Sequence, residues 1–136
     1  RVHALHGIAI LYDCHSIRSG IPYLFDGTLP DFNIGTNLGT TCAAEIQAVT
    51  EAVCSDATDY TSTTNGRFKG GWTTRHYGQP SIGYHAIQME LAQSTYLASE
   101  TAPWNFDTRK AARLRPYLTS ILTQLAELAP SLKGTS

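Results

Sequence analysis

Residues 8–16 read IAILYDCHS, an apolar run that changes abruptly into polar residues. The apolar part, Ile8 to Tyr12, is too short for a typical helix, and this pattern is typical of a buried, parallel strand. Asp13 and His15 follow it directly. Because active groups in open α/β sheets collect at the carboxyl ends of strands, the stretch favours an α/β fold with a site beside His15.

The Asp13–His15 pair suits a metal site but does not require one. A neutral imidazole is a good ligand for Zn²⁺, and a nearby carboxylate such as Asp13 can orient it. The open alternative is a hydrogen-bonded histidine at a strand end that binds no metal.

A second strand is predicted from Tyr84 to Leu91. Alternation places Tyr84, Ala86, Gln88 and Glu90 on one face and His85, Ile87, Met89 and Leu91 on the other. A carboxylate in a mostly apolar strand is costly unless it is paired, hydrogen-bonded or exposed. Glu90 is therefore either a buried group whose raised pKa suits a general base, or a glutamate of an edge strand that faces solvent.

The other elements complete an α/β layer. Thr41 is a candidate cap for a helix that runs to about Cys54, and residues 58–64 resemble a strand. Residues 20–40 are rich in Gly, Pro, Asp, Asn and Thr and are expected to form a long loop. The last helix begins after Asp107, and Pro116 inside its pattern predicts a kink or a fresh helix start.

Basic residues concentrate in a glycine-rich segment. Arg67 and Lys69 lie in NGRFKGG, residues 65–71, and Arg75 follows shortly after. Arginine can hold a carboxylate through two parallel hydrogen bonds, so the segment could bind an anionic substrate or a phosphate. The open alternative is a solvated basic loop that binds no ligand. No Lys-Ser or Lys-Thr follows the glycines, so the segment does not match a P-loop.

Other polar residues remain minor candidates. Arg18 could add an anion contact, and Asn37 could cap its loop or contact substrate. His76 is a weaker candidate for a proton or substrate group, and the three remaining histidines, His3, His6 and His85, are given no role.

Composition narrows the class of protein. The chain has 136 residues, of which 42% are hydrophobic and 15% charged, as expected for one globular domain. A net charge of −1 gives no general attraction to nucleic acid or anionic membranes, and no apolar run reaches the roughly 18 residues that span a bilayer. Three cysteines without CxxC spacing indicate buried thiols in a reducing, cytoplasmic compartment.

Four ordered segments together resemble the N-formylglutamate amidohydrolase family. The segments read LYDCHSIRS at 11–19, FDGTLPDFNIGTN at 25–37, NGRFKGGW with TRHYG at 65–72 and 74–78, and HAIQMELAQS at 85–94. The resemblance implies hydrolysis of N-formyl-L-glutamate to formate and L-glutamate, at the end of one route of histidine degradation. It also implies part of a zinc-carboxypeptidase-like α/β/α sandwich with a mixed, largely parallel sheet.

The resemblance also implies roles for particular residues. His15 matches the last zinc ligand, and Glu90 matches the glutamate that activates the zinc-bound water. Arg67, Arg75 and Arg18 would hold the substrate carboxylates, Asn37 would contact substrate, and Asp13 would orient the ligand histidine.

Members of the family are roughly twice as long as this chain. Residues 1–136, which begin without Met, are therefore expected to be the C-terminal portion of one such domain, without its N-terminal half. The remaining zinc ligands are expected from that half, so the chain alone should bind zinc poorly and be inactive. The alternatives are a non-catalytic binding module for a small dicarboxylate or other anion, and a structural fragment without a site.

Overall fold

The fold was examined in a computed structural model, which describes residues 1–132. Within these residues, four strands are interspersed with four α-helices: α1 (Val2–His6), β1 (Ala9–Ile17), β2 (Phe32–Gly35), α2 (Ala44–Asp56), β3 (Ser62–Thr64), α3 (Trp72–Tyr77), β4 (Tyr84–Ala92) and α4 (Thr108–Leu128). Within residues 1–132, no helix combines the length and hydrophobicity that crossing a bilayer requires.

The strands form one mixed, mostly parallel sheet in the order β1-β4-β2-β3. β1 pairs with β4, and β2 with β3, in parallel, whereas β2 and β4 are antiparallel. β4 is therefore a central strand that is covered on both edges. Because of this central position, β4 is buried along nearly its whole length.

The main hydrophobic core lies between one face of the sheet and the helices α2 and α4. Ile87 and Met89 contribute from β4, and Ile46 and Ile121 contribute from the two helices. The alternation predicted for β4 is thus confirmed, because its odd-numbered residues lie on this core face. The even-numbered residues face the opposite side, where α3 packs against β4 and β1.

Two predicted strands differ in extent from the observed ones. The apolar run Ile8 to Tyr12 does form a strand, which begins at Ala9. However, β1 continues through the polar residues to Ile17. The strand predicted over 58–64 is limited to Ser62–Thr64, because the chain turns at Ala57–Tyr60, where the Tyr60 amide donates to the Ala57 carbonyl. The predicted loop over 20–40 was wrong at its centre, which forms the fully buried strand β2.

The helix caps were predicted with mixed success. Thr41 does not cap α2: its hydroxyl donates to the Ala86 carbonyl at 2.8 Å, and the helix begins after Ala43 without a side-chain cap. Asp107 does cap α4, because its carboxylate accepts hydrogen bonds from the amides of Arg109 and Lys110. Of the two alternatives predicted at Pro116, a kink or a fresh helix start, the fresh start was wrong, since α4 runs through it from Thr108 to Leu128.

Candidate active site

His15 and Glu90 lie side by side on neighbouring strands. They are direct partners in the parallel register of β1 and β4, and Asn33 of β2 is the partner of Glu90 on its other side. Partners in register point to the same face of a sheet. The three side chains therefore form a row across the sheet, on the face opposite the main core, so His15 and Glu90 share one region of the molecule.

Asp13 holds the ring of His15. Its Oδ1 lies 3.1 Å from His15 Nε2, and its Oδ2 accepts a hydrogen bond of 3.1 Å from the hydroxyl of Thr74, which is fully buried on α3. When Nε2–H donates to this carboxylate, the lone pair of a neutral imidazole is left on Nδ1. The His15 side chain is about half exposed, at 47%.

Glu90 is a buried carboxyl group with a raised pKa. Its exposed fraction is only 6%. Burial is the main cause of the higher pKa; the neighbouring His15 acts against it, and the negative charge of Asp13 adds to it. Of the two possibilities that the sequence left open, the structure thus favours the buried glutamate, because β4 is a central strand. A raised pKa brings a carboxylate toward the range in which a general base works.

Gln88 connects Glu90 to the glycine-rich segment. Its side chain is 3% exposed, and its Oε1 accepts a hydrogen bond of 2.7 Å from the amide of Gly71. Its Nε2 donates to Glu90 Oε2 at 3.3 Å. Sequence analysis gave Gln88 no role, although the alternation of β4 had already placed it on the same face as Glu90. Thr74 was missed as well, since nothing in the sequence relates it to Asp13.

A cavity of about 500 Å³ opens over these groups. It is lined by residues from both strands, from the glycine-rich segment and from α3: His15, Arg67, Phe68, Lys69, Gly70, Gly71, Arg75, Gln88 and Glu90. Three of these side chains are cationic, and they are exposed. Within residues 1–132, no carboxylate lies at ion-pair distance from any of these three side chains. The cavity therefore suits an anion.

The glycine-rich segment reaches this position because two glycines let it lie against the sheet. A Cβ on Gly35 of β2 would sit 2.6 Å from the Gly70 amide nitrogen. Gly70 itself has φ of 114°, a conformation that side chains other than glycine's rarely adopt. The glycines thus serve the packing of the segment on β2, in addition to any close approach of a ligand.

Several candidates lie away from the cavity lining. Arg18 is exposed just after β1. Asn37 donates through its side chain to the Thr40 hydroxyl at 2.9 Å, while its amide binds the Lys69 carbonyl at 2.6 Å. His76 stacks on Trp72 with ring centroids 4.3 Å apart. Asn37 thus holds the glycine-rich segment through its backbone hydrogen bond to Lys69.

The thiols have the properties of ordinary packing groups. Cys42 and Cys54 are buried, and burial raises their pKa to about 11 and about 12. Cys14 is exposed next to His15 in sequence, and desolvation and the charge of Asp13 raise its pKa as well. Because a thiolate is the reactive form, none of the three is poised as a nucleophile.

The donors around His15 fit a zinc site in part. An imidazole held by a carboxylate is a common zinc ligand, and with Nε2 bound to Asp13 the donor atom would be Nδ1. A catalytic zinc takes about three protein ligands, and among residues 1–132 no group of three His, Cys, Asp or Glu side chains could hold an ion. The described residues therefore offer one suitable ligand and a buried carboxyl group beside it.

Comparisons with known proteins agree on one family. The family model described as N-formylglutamate amidohydrolase matches residues 1–97. An N-formylglutamate deformylase of Pseudomonas aeruginosa is 50% identical over 125 residues, which cover 92% of this chain and 47% of that protein. An N-formylglutamate deformylase of Pseudomonas putida is 48% identical over 125 residues, covering 92% and 46%.

The fold is shared with a solved structure. The crystal structure of an N-formylglutamate amidohydrolase from Ralstonia eutropha JMP134 superposes with a TM-score of 0.79 at 21% identity. The match covers 93% of this chain and 46% of that one. The chain thus spans about half the length of the curated relatives and of the solved structure that it matches.

Proposed function

Since this chain belongs to the N-formylglutamate amidohydrolase family, we propose that it supplies the general base and the substrate-holding cations for hydrolysis of N-formyl-L-glutamate to formate and L-glutamate. The two Pseudomonas relatives are named for this reaction. We further propose that the reaction ends one route of histidine degradation in the cytoplasm, and that the sheet belongs to a larger, zinc-carboxypeptidase-like sandwich.

One observation carries the proposal. A buried carboxyl group, Glu90, lies in register with His15 at the floor of a cavity bordered by three cations without acidic partners within residues 1–132. The substrate has two carboxylates and one formamide bond. The cavity therefore offers cations for the two charged ends and a base for the bond that breaks.

Arg67 and Arg75 are the proposed anchors for the substrate carboxylates. Both line the cavity, and a guanidinium can form two parallel hydrogen bonds to one carboxylate. Lys69 adds a third positive charge at the same rim. Arg18 and Asn37 are also proposed as substrate contacts, with less support because neither belongs to the cavity lining.

Glu90 is proposed to take a proton from the attacking water and return it to the leaving amine. Burial raises its pKa, and a higher pKa makes the carboxylate a better acceptor for the proton of the water. Asp13 holds the imidazole of His15 at Nε2, which leaves Nδ1 as the nitrogen for a ligand. Thr74 in turn fixes Asp13 through its hydroxyl.

Zinc is the proposed cofactor, with His15 Nδ1 as one ligand. When bound, the ion would polarise the formyl carbonyl and lower the pKa of a water molecule. The remaining ligands are proposed to come from the part of the relatives' length that this chain does not cover, in the N-terminal half of the domain. That segment is therefore the proposed partner of residues 1–132.

A non-catalytic role is the second candidate, and the exposed cations favour it. Arg67, Lys69 and Arg75 would bind a small dicarboxylate or another anion without any metal or base. In that case the buried Glu90 would be a structural residue. Replacing it would leave ligand binding unchanged, and there would be no catalytic activity to lose.

The test is the substitution Glu90→Gln. It should be made in this chain combined with the part of the Pseudomonas aeruginosa relative that the chain does not match (the complemented protein). Gln has nearly the same shape but cannot accept the proton, so kcat for formate release should fall by about 10²- to 10⁴-fold with little change in KM. Enzymatic detection of formate measures both constants.

Glu127→Gln is the matched control, because Glu127 is exposed on α4 and does not line the cavity. Its kinetics should equal those of the unmodified complemented protein. If Glu90→Gln keeps full activity, Glu90 is not the base. If the complemented protein binds N-formylglutamate but releases no formate, the binding module is the better description.

A further inference from the structure

Gln88 lies between Glu90 and the glycine-rich segment that carries the cations. It is two residues before Glu90 on the same face of β4, and it is buried. Its Oε1 accepts from the amide of Gly71, the residue that joins the segment bearing Arg67 to the helix α3 bearing Arg75. Its Nε2 donates to Glu90. One side chain therefore contacts both the base and the backbone that carries the cations.

The orientation of the Gln88 amide is determined by these partners. The Gly71 N–H can only donate, so the oxygen of the side chain must face it. This leaves the NH₂ group on the side of Glu90, where it can only donate to the carboxylate. Because Gln88 is buried, water does not readily replace either hydrogen bond.

We propose that Gln88 is a positioning residue that ties the base Glu90 to the start of α3, and so fixes the distance between the reacting bond and the anchored carboxylates. This inference rests on the proposed function. Small displacements matter because shifting a reacting group by about 1 Å can lower a rate by about 100-fold.

The surrounding contacts explain why such a link is needed. The glycine-rich segment is held on the side of β2 by the close approach of Gly35 to Gly70 and by the hydrogen bond from the Asn37 amide to Lys69. These contacts fix its height above the sheet near β2. Gln88 acts one strand farther on, at β4, where the base lies. The segment is thus attached to two adjacent strands.

Two substitutions separate the two hydrogen bonds. Gln88→Glu retains an oxygen that accepts from Gly71 but, when ionised, loses the donor to Glu90. Gln88→Met has a similar length and loses both. In the complemented protein, we expect Gln88→Glu to lower kcat by about 10-fold or more with KM nearly unchanged, and Gln88→Met to lower kcat and raise KM together.

A second measurement does not require activity. Hydrogen exchange of the Gly71 amide, followed by NMR in this chain, should accelerate by roughly fivefold or more in Gln88→Met, the effect of losing one ordinary hydrogen bond. It should stay near the original rate in Gln88→Glu. Gln124→Glu and Gln124→Met, on the exposed side of α4, are the matched controls and should alter neither kinetics nor exchange.

The outcomes separate this proposal from the proposed function. Unchanged Gly71 exchange in folded Gln88→Met, or unchanged kcat and KM in that variant, overturns the role of Gln88 whatever Glu90→Gln does. A loss of kcat in Gln88→Glu but not in Gln88→Met also overturns it, because the added charge would then be the cause. If Gln88→Met does not fold, the same two measurements on Gln88→Ala decide in its place, because Ala also loses both hydrogen bonds and adds no charge. Full activity of Glu90→Gln refutes the proposed function instead.

Discussion

At the scale of single residues, the carboxyl group of Glu90 is buried, away from the water that would stabilise its ionised form. Glu90 receives one hydrogen bond from Gln88 at 3.3 Å, and its pKa is raised mainly by burial. A more complete set of donors would stabilise the ionised form and lower the pKa. The sparse surroundings of Glu90 therefore favour a reactive base at some cost in folding stability.

His85 supports a prediction about stability and pH on the opposite face of β4. Its Nδ1 accepts from the Ala43 amide at 3.0 Å, and burial lowers its pKa although Glu45 opposes the shift. The folded state then binds fewer protons than the unfolded state, so stability is lost as pH falls below about 6.5. His85→Asn keeps an acceptor for Ala43 without titrating. The free energy of unfolding of the natural chain, relative to this variant, should fall between pH 8 and pH 5 in urea titrations.

The control for this prediction is His76→Asn, because His76 is exposed on α3. It should follow the natural chain at every pH. Parallel pH profiles for the natural chain and His85→Asn would show that His85 titrates alike in both states, and would contradict the prediction.

The residues of the site were more predictable than their surroundings. Alternation placed Gln88 and Glu90 on one face, and the two-residue spacing of Asp13 and His15 likewise puts them on one face of β1, although they lie within that strand and not after its end as predicted. Alternation does not reveal whether a strand is central or at an edge, because that depends on pairing with distant β2. The burial of Glu90 and the contact between Thr74 and Asp13 therefore required the structure.

At the scale of elements, length decides what the sequence reveals. β4 and α4, with nine and 21 residues, have clear periodicity and were predicted nearly to their ends. β2 has only four residues, all buried, including an Asn and a Gly that are unusual in strands. Its conformation comes from pairing with β4 and β3, which local sequence cannot indicate.

The contact between β2 and the glycine-rich segment yields the next prediction. In Gly35→Ala, the new Cβ would lie 2.6 Å from the Gly70 nitrogen and 2.8 Å from the Lys69 carbonyl carbon, so backbone must move. We expect a loss of about 1–3 kcal/mol in the free energy of unfolding, as for other overpacked sites. KM for N-formylglutamate should also rise in the complemented protein, because Arg67 lies on the displaced segment. Urea unfolding and formate release measure the two effects.

Gly20→Ala is a suitable control, since nothing lies within 4 Å of a Cβ at Gly20. It should leave both stability and KM unchanged. Gly35→Ala with normal stability and KM would mean that the segment tolerates displacement, and that its close packing on β2 has no part in holding the cations.

At the scale of the whole molecule, two cavities of similar volume differ in the chemistry of their linings. A groove of about 400 Å³ lies between α1, β1 and α4, but apart from His6 and Tyr12 its lining is apolar. The cavity beside Glu90 combines a base, an imidazole and cations. It opens beside β1, one of the two edge strands of the described sheet, so His15 lies on a strand with one unpaired edge.

The affinity for Zn²⁺ tests whether the proposed zinc site needs ligands beyond those of residues 1–132. Residues 1–132 place one imidazole at the proposed zinc site and no group of three ligands. We expect the complemented protein to bind Zn²⁺ about 100-fold or more tightly than this chain alone, because a catalytic zinc takes about three protein ligands. His15→Ala should remove most of that gain, whereas His76→Ala should not. Competition with a chromogenic chelator measures the affinities. Equally tight binding by this chain alone, insensitive to His15→Ala, would place the metal elsewhere and exclude His15 as its ligand.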